Sequence, residues 1–256
     1  MSTLKDKTVF ITGATAGIGE ASARRCAAAG ARLVLLGRRA ERLDALAKEL
    51  SVPCHLIAAD IRDREVIEKA IAELPADFAA VDVLINNAGL AAGLERAWET
   101  DPEDWETMVD TNIKGLMRCT RLLLPGMVER DRGHIVNVGS VAGSYPYARG
   151  NVYGATKSFV LQFSRNLRVD LLGKNIRVTN IEPGAVETEF SVVRMRGDQA
   201  AADRVYEGYQ PLVAEDIAET IEWALTRPAH VNVSRIEVLP TMQAFGGFKV
   251  AREDGK

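Results

Sequence analysis

Short apolar runs, too brief for helices, recur along the chain with one helical stretch between most neighbours. Their β-branched residues predict strands at 8–12, 32–37, 54–58, 83–86, 134–138, 177–181 and 235–239. The intervening segments place apolar residues at helical spacing, for instance over 19–29, 40–50, 64–74, 104–129 and 152–172. Gly30 and Gly173 each stand just past such a run, where a helix C-cap favours glycine. Apolar strands joined by crossover-length helices indicate an α/β fold, a Rossmann-type doubly wound parallel sheet of about seven strands with helices on both faces. With no linker, low-complexity block or internal repeat, residues 1–256 are expected to form one domain. The tail, 240–256, is expected either to fray or to pack near a pocket or a neighbouring subunit.

Composition narrows the class without naming a chemistry. Hydrophobic residues make up 47% of the 256 residues, enough for a sizeable core. A formal charge of −3 provides no general basic field, which argues against nucleic acid as a partner. No apolar stretch is long enough for a membrane span, and the polar start at 1–7 lacks the form of a signal peptide. A cytoplasmic, membrane-free protein is expected. Cys26, Cys54 and Cys119 are far apart, with no C-x-x-C pair, and His55, His134 and His230 are equally scattered. These six read as packing or surface residues, with no metal site expected.

Chemistry enters at the first strand-to-helix turn, Thr12-Gly13-Ala14-Thr15-Ala16-Gly17-Ile18-Gly19. Glycines there allow a pyrophosphate close to the backbone, and the helix start offers free N–H groups. The spacing is G-x-x-x-G-x-G, not G-x-G-x-x-G, and three glycines alone describe only a tight turn. The order of strand, glycine loop and helix makes it a dinucleotide site, with Gly13, Thr15, Gly17, Ile18 and Gly19 against the cofactor. At the end of the second strand, an acidic residue would bind ribose hydroxyls and repel a 2′-phosphate. This chain has Arg38 and Arg39 there, whose guanidinium groups suit phosphate oxygens, so NADP(H) is expected over NAD(H). Glu41 and Asp44 fall in the following helix and are expected to face water.

Tyr153 and Lys157, four residues apart on a predicted helix, share one face. An ammonium beside a phenol favours the phenolate, so the Tyr153 pKa is expected to fall from about 10 towards working pH. Such a tyrosine donates a proton to a carbonyl oxygen or accepts one from an alcohol. The pair alone is also what a half-exposed helix surface offers. In the order glycine loop, Asn86-Asn87-Ala88-Gly89, Asn112, Ser140, Tyr153, Lys157 and Pro183-Gly184, however, the chain resembles the short-chain dehydrogenase/reductases over nearly its whole length.

That resemblance implies an oxidoreductase acting on CH–OH groups, with Tyr153 as acid/base and Ser140 hydrogen-bonded to the substrate oxygen. Lys157 would bind the nicotinamide ribose, and Asn112 would hold a helix kink and a proton-relaying water. Asp60 and Ile61 would meet the adenine, and Asn87, Ala88 and Gly89 would line the groove. Pro183, Gly184 and Val186 would also contact the cofactor, and Thr188 its carboxamide. Plainer uses exist: Asn86 and Asn87 as turn residues, Asp60 as a helix cap, Asn112 as a polar helix residue bonded to backbone.

The segments after Ser140 and after Pro183-Gly184, expected to surround the substrate, contain Tyr145, Tyr147, Arg149, Arg194 and Arg196. An arginine in the flap following Glu189-Phe190 suits a carboxylate or sulfonate; Arg149 and Arg196 read as surface charges. Stretches such as Asp104-Trp105-Glu106-Thr107-Met108 and Glu189-Phe190-Ser191-Val192-Val193-Arg194 are similar to those of NADP-dependent 3-hydroxy acid dehydrogenases and of sulfoacetaldehyde reductases. This closer resemblance implies a short anionic aldehyde or hydroxy acid as substrate, held by Arg194 and Tyr147. Family resemblance also implies a homotetramer, with 104–129 and 152–172 as interface helices. Two rivals remain: a non-catalytic NADP(H)-binding regulator, which has no need of the full Asn112, Ser140, Tyr153 and Lys157 set, and an epimerase or dehydratase. The latter usually has a different glycine spacing and a longer C-terminal lobe.

Overall fold

The computed structural model describes residues 3–245, and each predicted strand recurs in it to within two residues at either end. The first half runs β1 (Thr8–Thr12), α1 (Gly17–Ala28), β2 (Arg32–Gly37), α2 (Ala40–Glu49), β3 (Cys54–Ala58), α3 (Arg64–Ala72), α4 (Ala76–Ala79) and β4 (Val81–Asn86). After α5 (Pro102–Val109), a π-type turn at Asp110–Gly115 leads into α6 (Leu116–Glu129) and β5 (Gly133–Val138). A 3-10 turn at Val141–Gly143 precedes α7 (Asn151–Asp170) and β6 (Ile176–Pro183). The remainder comprises β7 (Val186–Glu187), α8 (Glu189–Arg194), α9 (Gln199–Asp203), β8 (Leu212–Val213), α10 (Ala214–Leu225) and β9 (Arg235–Val238).

Among the described residues, seven strands form one parallel sheet in the order β3-β2-β1-β4-β5-β6-β9, and β7 and β8 pair separately. The apolar strands bury both faces, as parallel sheets require. Val9, Ile11, Leu33 and Leu35 face one side, packing with Ala23 of α1 and Ile217 and Ile221 of α10. Phe10, Val34, Leu84 and Ile135 face the other, against Cys119, Leu123 and Met127 of α6 and Leu167 of α7. Burial pushes the Cys26 and Cys119 thiols up to about 12, so both are packing groups rather than reactive ones.

Strand order reverses at β1, whose neighbours β2 and β4 lead away in opposite directions; ligands bind at such a switch point, beyond the carboxyl ends of the strands. Gly30 and Gly173 adopt φ of 82° and 84°, the left-handed conformation expected of helix ends. The helix predicted over 104–129 is interrupted: the π-type turn admits one extra residue between α5 and α6. At the start of the tail, Gln243 accepts a hydrogen bond from the Ala185 N–H at 2.8 Å, so this part packs over the Pro183-Gly184 turn. Residues 246–256 of the predicted tail lie outside the described residues. Among the described residues, no helix is long and apolar enough to cross a membrane.

Candidate active site

The glycine loop is shaped by what lies against it. A Cβ on Gly13, which has φ of 69°, would stand 2.9 Å from the Ala88 Cα. One on Gly19 would collide with the Gly13 carbonyl and the Asn87 amide. Side chains are excluded because two loops meet there. The Thr12 hydroxyl accepts from the N–H groups of Asn87 and Ala88 at 3.0 and 2.9 Å. Asn87 Nδ2 donates to the carbonyls of Thr12 and Gly13 at 3.0 and 3.1 Å. These bonds zip the end of β4 to the end of β1 and leave the start of α1, which has no side-chain cap, open to the groove.

That groove, about 380 Å³, is lined by Gly13, Thr15, Gly17 and Ile18, by Arg38 and Arg39, by Asp60 and Ile61, and by Asn87, Ala88 and Gly89. Its far wall brings in Ser140, Tyr147, Tyr153, Lys157, Pro183, Gly184, Val186, Thr188 and Arg194. Of the residues singled out in the sequence, Gly19 and Asn112 act from behind this lining. The two arginines after β2 separate. Arg38 stands exposed at the rim and favours the ionised form of Asp60, whose carboxyl Arg62 holds below the usual range through a bidentate contact. Arg39 is turned across the groove, donating to Glu189 of α8 at 2.7 Å and to Thr15. Arg42 joins it on Glu189 at 2.6 Å. Asp63, not Asp60, caps α3.

The expected proton-transfer group is assembled from three elements. Ser140 lies two residues past β5 and is oriented by the Ala142 N–H, which donates to its Oγ at 3.1 Å. Tyr153 and Lys157 share the buried face of α7. Lys157 Nζ donates to the Val138 carbonyl at 2.8 Å and stands 5.9 Å from the centre of the Tyr153 ring. Asn112, in the π-type turn, accepts from the Leu90 N–H at 2.9 Å and donates to the Leu90 carbonyl and the Thr156 hydroxyl at 2.8 and 3.1 Å. Asn112 therefore ties the loop after β4 to α7. Where the sequence leads one to expect a helix kink, the structure has this π-type turn.

The charge balance at Tyr153 departs from the sequence reading. Burial, and after it the neighbouring Tyr147, raise its phenol above the ordinary value; the hydrogen bond to Ser140 and the charge of Arg194 oppose them without overcoming them. Burial also lowers Lys157, to about 8. Spacing along a helix identified the neighbour, but desolvation decides the sign.

Arg194 ends α8 and closes the groove over the tyrosine. Its Nη2 donates to the Tyr147 hydroxyl at 2.8 Å, and its Nε to the Gly93 carbonyl at 3.3 Å. The guanidinium carbon lies 5.5 Å from the Tyr147 ring centre and 5.6 Å from that of Tyr153. Arg196 instead pairs with Glu95 and Asp104, and Arg149 is exposed, so neither lines the groove. Tyr145 turns towards Glu237.

A glycine loop at a switch point, with a serine, tyrosine and lysine facing it, accords with the short chain dehydrogenase family model, which matches residues 7–198. The chain belongs to the short-chain dehydrogenase family. It is 56% identical over 245 residues to the NADP-dependent 3-hydroxy acid dehydrogenase of Salmonella typhi, covering 95% of this chain and 99% of that one. The sulfoacetaldehyde reductase of Chromohalobacter salexigens is 55% identical over 245 residues, covering 94% and 97%. Among solved structures, the closed form of serine dehydrogenase complexed with NADP+ superimposes with a TM-score of 0.90 at 51% identity, covering 96% and 100%.

Several residues that build the site in this dehydrogenase were not singled out from the sequence. Thr12, immediately before Gly13, was the legible one, as a hydroxyl at a strand end facing a loop. Thr156 supports Asn112 and returns a hydrogen bond to the Tyr153 carbonyl at 2.8 Å. Phe190 packs 5.7 Å from the Tyr153 ring. Tyr206 braces α8 by bonding Ser191 and donating to the Val186 carbonyl. Nothing in the local sequence of Tyr206 points to that contact.

Proposed function

We propose that this short-chain dehydrogenase interconverts a short-chain hydroxy acid and its semialdehyde or oxo acid using NADP(H). The observation that carries the reading is Arg194, a cation fixed between two tyrosines beside the proposed acid/base. NADP(H) fits the groove: Arg38 follows β2 where an acidic residue would repel a 2′-phosphate, and the start of α1 faces the pyrophosphate position. When bound, the nicotinamide supplies the hydride. In reduction, Ser140 and Tyr153 hold the aldehyde oxygen, and Tyr153 passes its proton to it. Lys157 would hold the ribose hydroxyls, and Asn112, through Leu90 and Thr156, fixes the frame in which both sit. The single seven-stranded sheet, with β3 and β9 at its edges, supports one domain. A homotetramer is the assembly proposed with it, through α6 and α7, on which Met117 and Val169 are exposed apolar side chains.

Arg194→Ala is expected to raise KM for anionic aldehydes on the order of 10- to 100-fold, with little change for a neutral aldehyde of similar size. Equal effects on both classes would remove the clamp. Comparing kcat/KM for malonic semialdehyde, sulfoacetaldehyde, succinic semialdehyde and a neutral aldehyde ranks carboxylate against sulfonate directly. A sulfoacetaldehyde preference would move the reading to the reductase alternative. Arg38→Asp is expected to shift the NADPH-to-NADH ratio of kcat/KM by about 100-fold towards NADH; an unchanged ratio would take Arg38 out of the phosphate site.

A further inference from the structure

We infer that Glu189 opposes the cofactor's 2′-phosphate at Arg39, so that a carboxylate on the substrate flap helps to set the preference between NADP(H) and NAD(H). The inference rests on the phosphate end of the groove proposed above and assigns it a further, specificity-determining residue. Arg38, Arg39 and Arg42 crowd the start of α2. Glu189, the first residue of α8, takes two of them. Its Oε2 accepts from Arg39 Nη1 at 2.7 Å, and its Oε1 from Arg42 Nη1 at 2.6 Å.

Arg39 has little left to offer a second anion. Its Nε and Nη2 donate to the Thr15 hydroxyl at 3.2 and 3.0 Å, and Nη2 also donates to the Thr15 carbonyl at 3.1 Å. That leaves Nη1, and Nη1 is on Glu189. A phosphate reaching Arg39 therefore either displaces the carboxylate or lies beside it. The first breaks a charge-assisted hydrogen bond, and the second sets like charges side by side. The hydrogen bonds from Arg39 and Arg42 hold the Glu189 carboxyl below the usual carboxylate range, so it is ionised at neutral pH. Asp60, which also lines this end of the groove, is paired with Arg62 at 2.8 Å.

NAD(H) has a hydroxyl in place of that phosphate and brings no charge against Glu189. The cost falls on NADP(H). It is modest, because the Arg39 and Glu189 side chains are 41% and 46% exposed and water screens them. Glu189 also begins the helix that ends at Arg194, so the same ion pair joins the phosphate end of the groove to the substrate end. The chain gives up some NADP(H) affinity to keep α8 tied across the groove.

Isothermal titration calorimetry of the whole chain reads the effect without turnover. The ligands are NADPH, NADH and adenosine 2′,5′-bisphosphate, which carries the phosphate without a nicotinamide. Glu189→Gln is expected to tighten NADPH and the bisphosphate by about three- to tenfold and to leave NADH within about twofold. Arg39→Ala is expected to weaken NADPH, and in that background Glu189→Gln should no longer tighten it. Glu189→Ala provides the same comparison if the glutamine variant does not fold. Unchanged or weakened NADPH binding in Glu189→Gln would overturn the inference, as would equal tightening of NADH. Tightening that persists in the Arg39→Ala background would also overturn it, because the carboxylate would then act on another group. If Arg39→Ala leaves NADPH affinity unchanged while Arg38→Asp still shifts cofactor preference, the phosphate end stands and the opposition at Arg39 falls. If neither arginine matters, both fall.

Discussion

Tyr153→Phe is expected to lower the rate of aldehyde reduction by about 10³-fold or more, while NADPH affinity, read by fluorescence titration, stays within about twofold. The substitution removes one oxygen and leaves the ring. That ring still packs against Phe190 and beneath Arg194, so the groove keeps its shape. Lys157 remains anchored to the Val138 carbonyl and needs no tyrosine to hold its place. What is lost is the proton that must reach the carbonyl oxygen as the hydride arrives. Ser140 also loses a partner, but serine has no comparable acidity to offer. Residual turnover near the wild-type rate would exclude Tyr153 as the donor, and a large loss of NADPH binding would make it a packing residue instead.

Arg235→Ala is expected to cost about 2–3 kcal/mol of folding stability, measured as a shift in the urea midpoint at constant slope. Glu182, in β6, has a side chain only 1% exposed. It accepts from Asn180 at 2.7 Å, from Ser144 at 2.9 Å, and from Arg235 Nε and Nη2 at 2.9 and 2.8 Å. A buried ion pair need not stabilise a fold, but removing one partner strands the other charge away from water. The full penalty is softened because the Arg235 side chain is 36% exposed, so water reaches the gap. Adding Glu182→Gln to Arg235→Ala should recover part of the loss. If the single variant is as stable as the wild type, the Asn180 and Ser144 donors suffice. Ser144 closes the 3-10 turn that begins after Ser140, so activity is expected to fall alongside stability.

The strands were legible because a sheet buried on both faces needs apolar runs, and β1, β2 and β4 have them at 9–11, 33–36 and 83–85. The order of glycine loop, serine, tyrosine and lysine was legible for a different reason: each lies at a strand end or on a helix face that the pattern already located. What was hidden depends on distant partners. Arg38 and Arg39 are adjacent and chemically identical, and it is Glu189, 150 positions along the chain, that draws Arg39 away. Asn112 gains its part from Leu90 and Thr156. Helices α8 and α9, of six and five residues, are too short to show a period. The direction in which the Tyr153 phenol is shifted is not legible locally, because the spacing shows Lys157, whereas burial is a property of the whole fold.

The π-type turn has a bearing on how this chain tolerates change. Each residue added to a helix rotates the remainder of that helix by about 100°. The extra residue at Asp110–Gly115 sets the azimuth at which α6 presents Cys119, Leu123 and Met127 to the sheet while Asn112 faces Leu90. Shortening this segment by one residue would turn one of those two faces away, whichever residue were removed. Its length is therefore under stricter constraint than its composition, and a slip of one position in the apolar phase between 102 and 129 is itself a mark of the site.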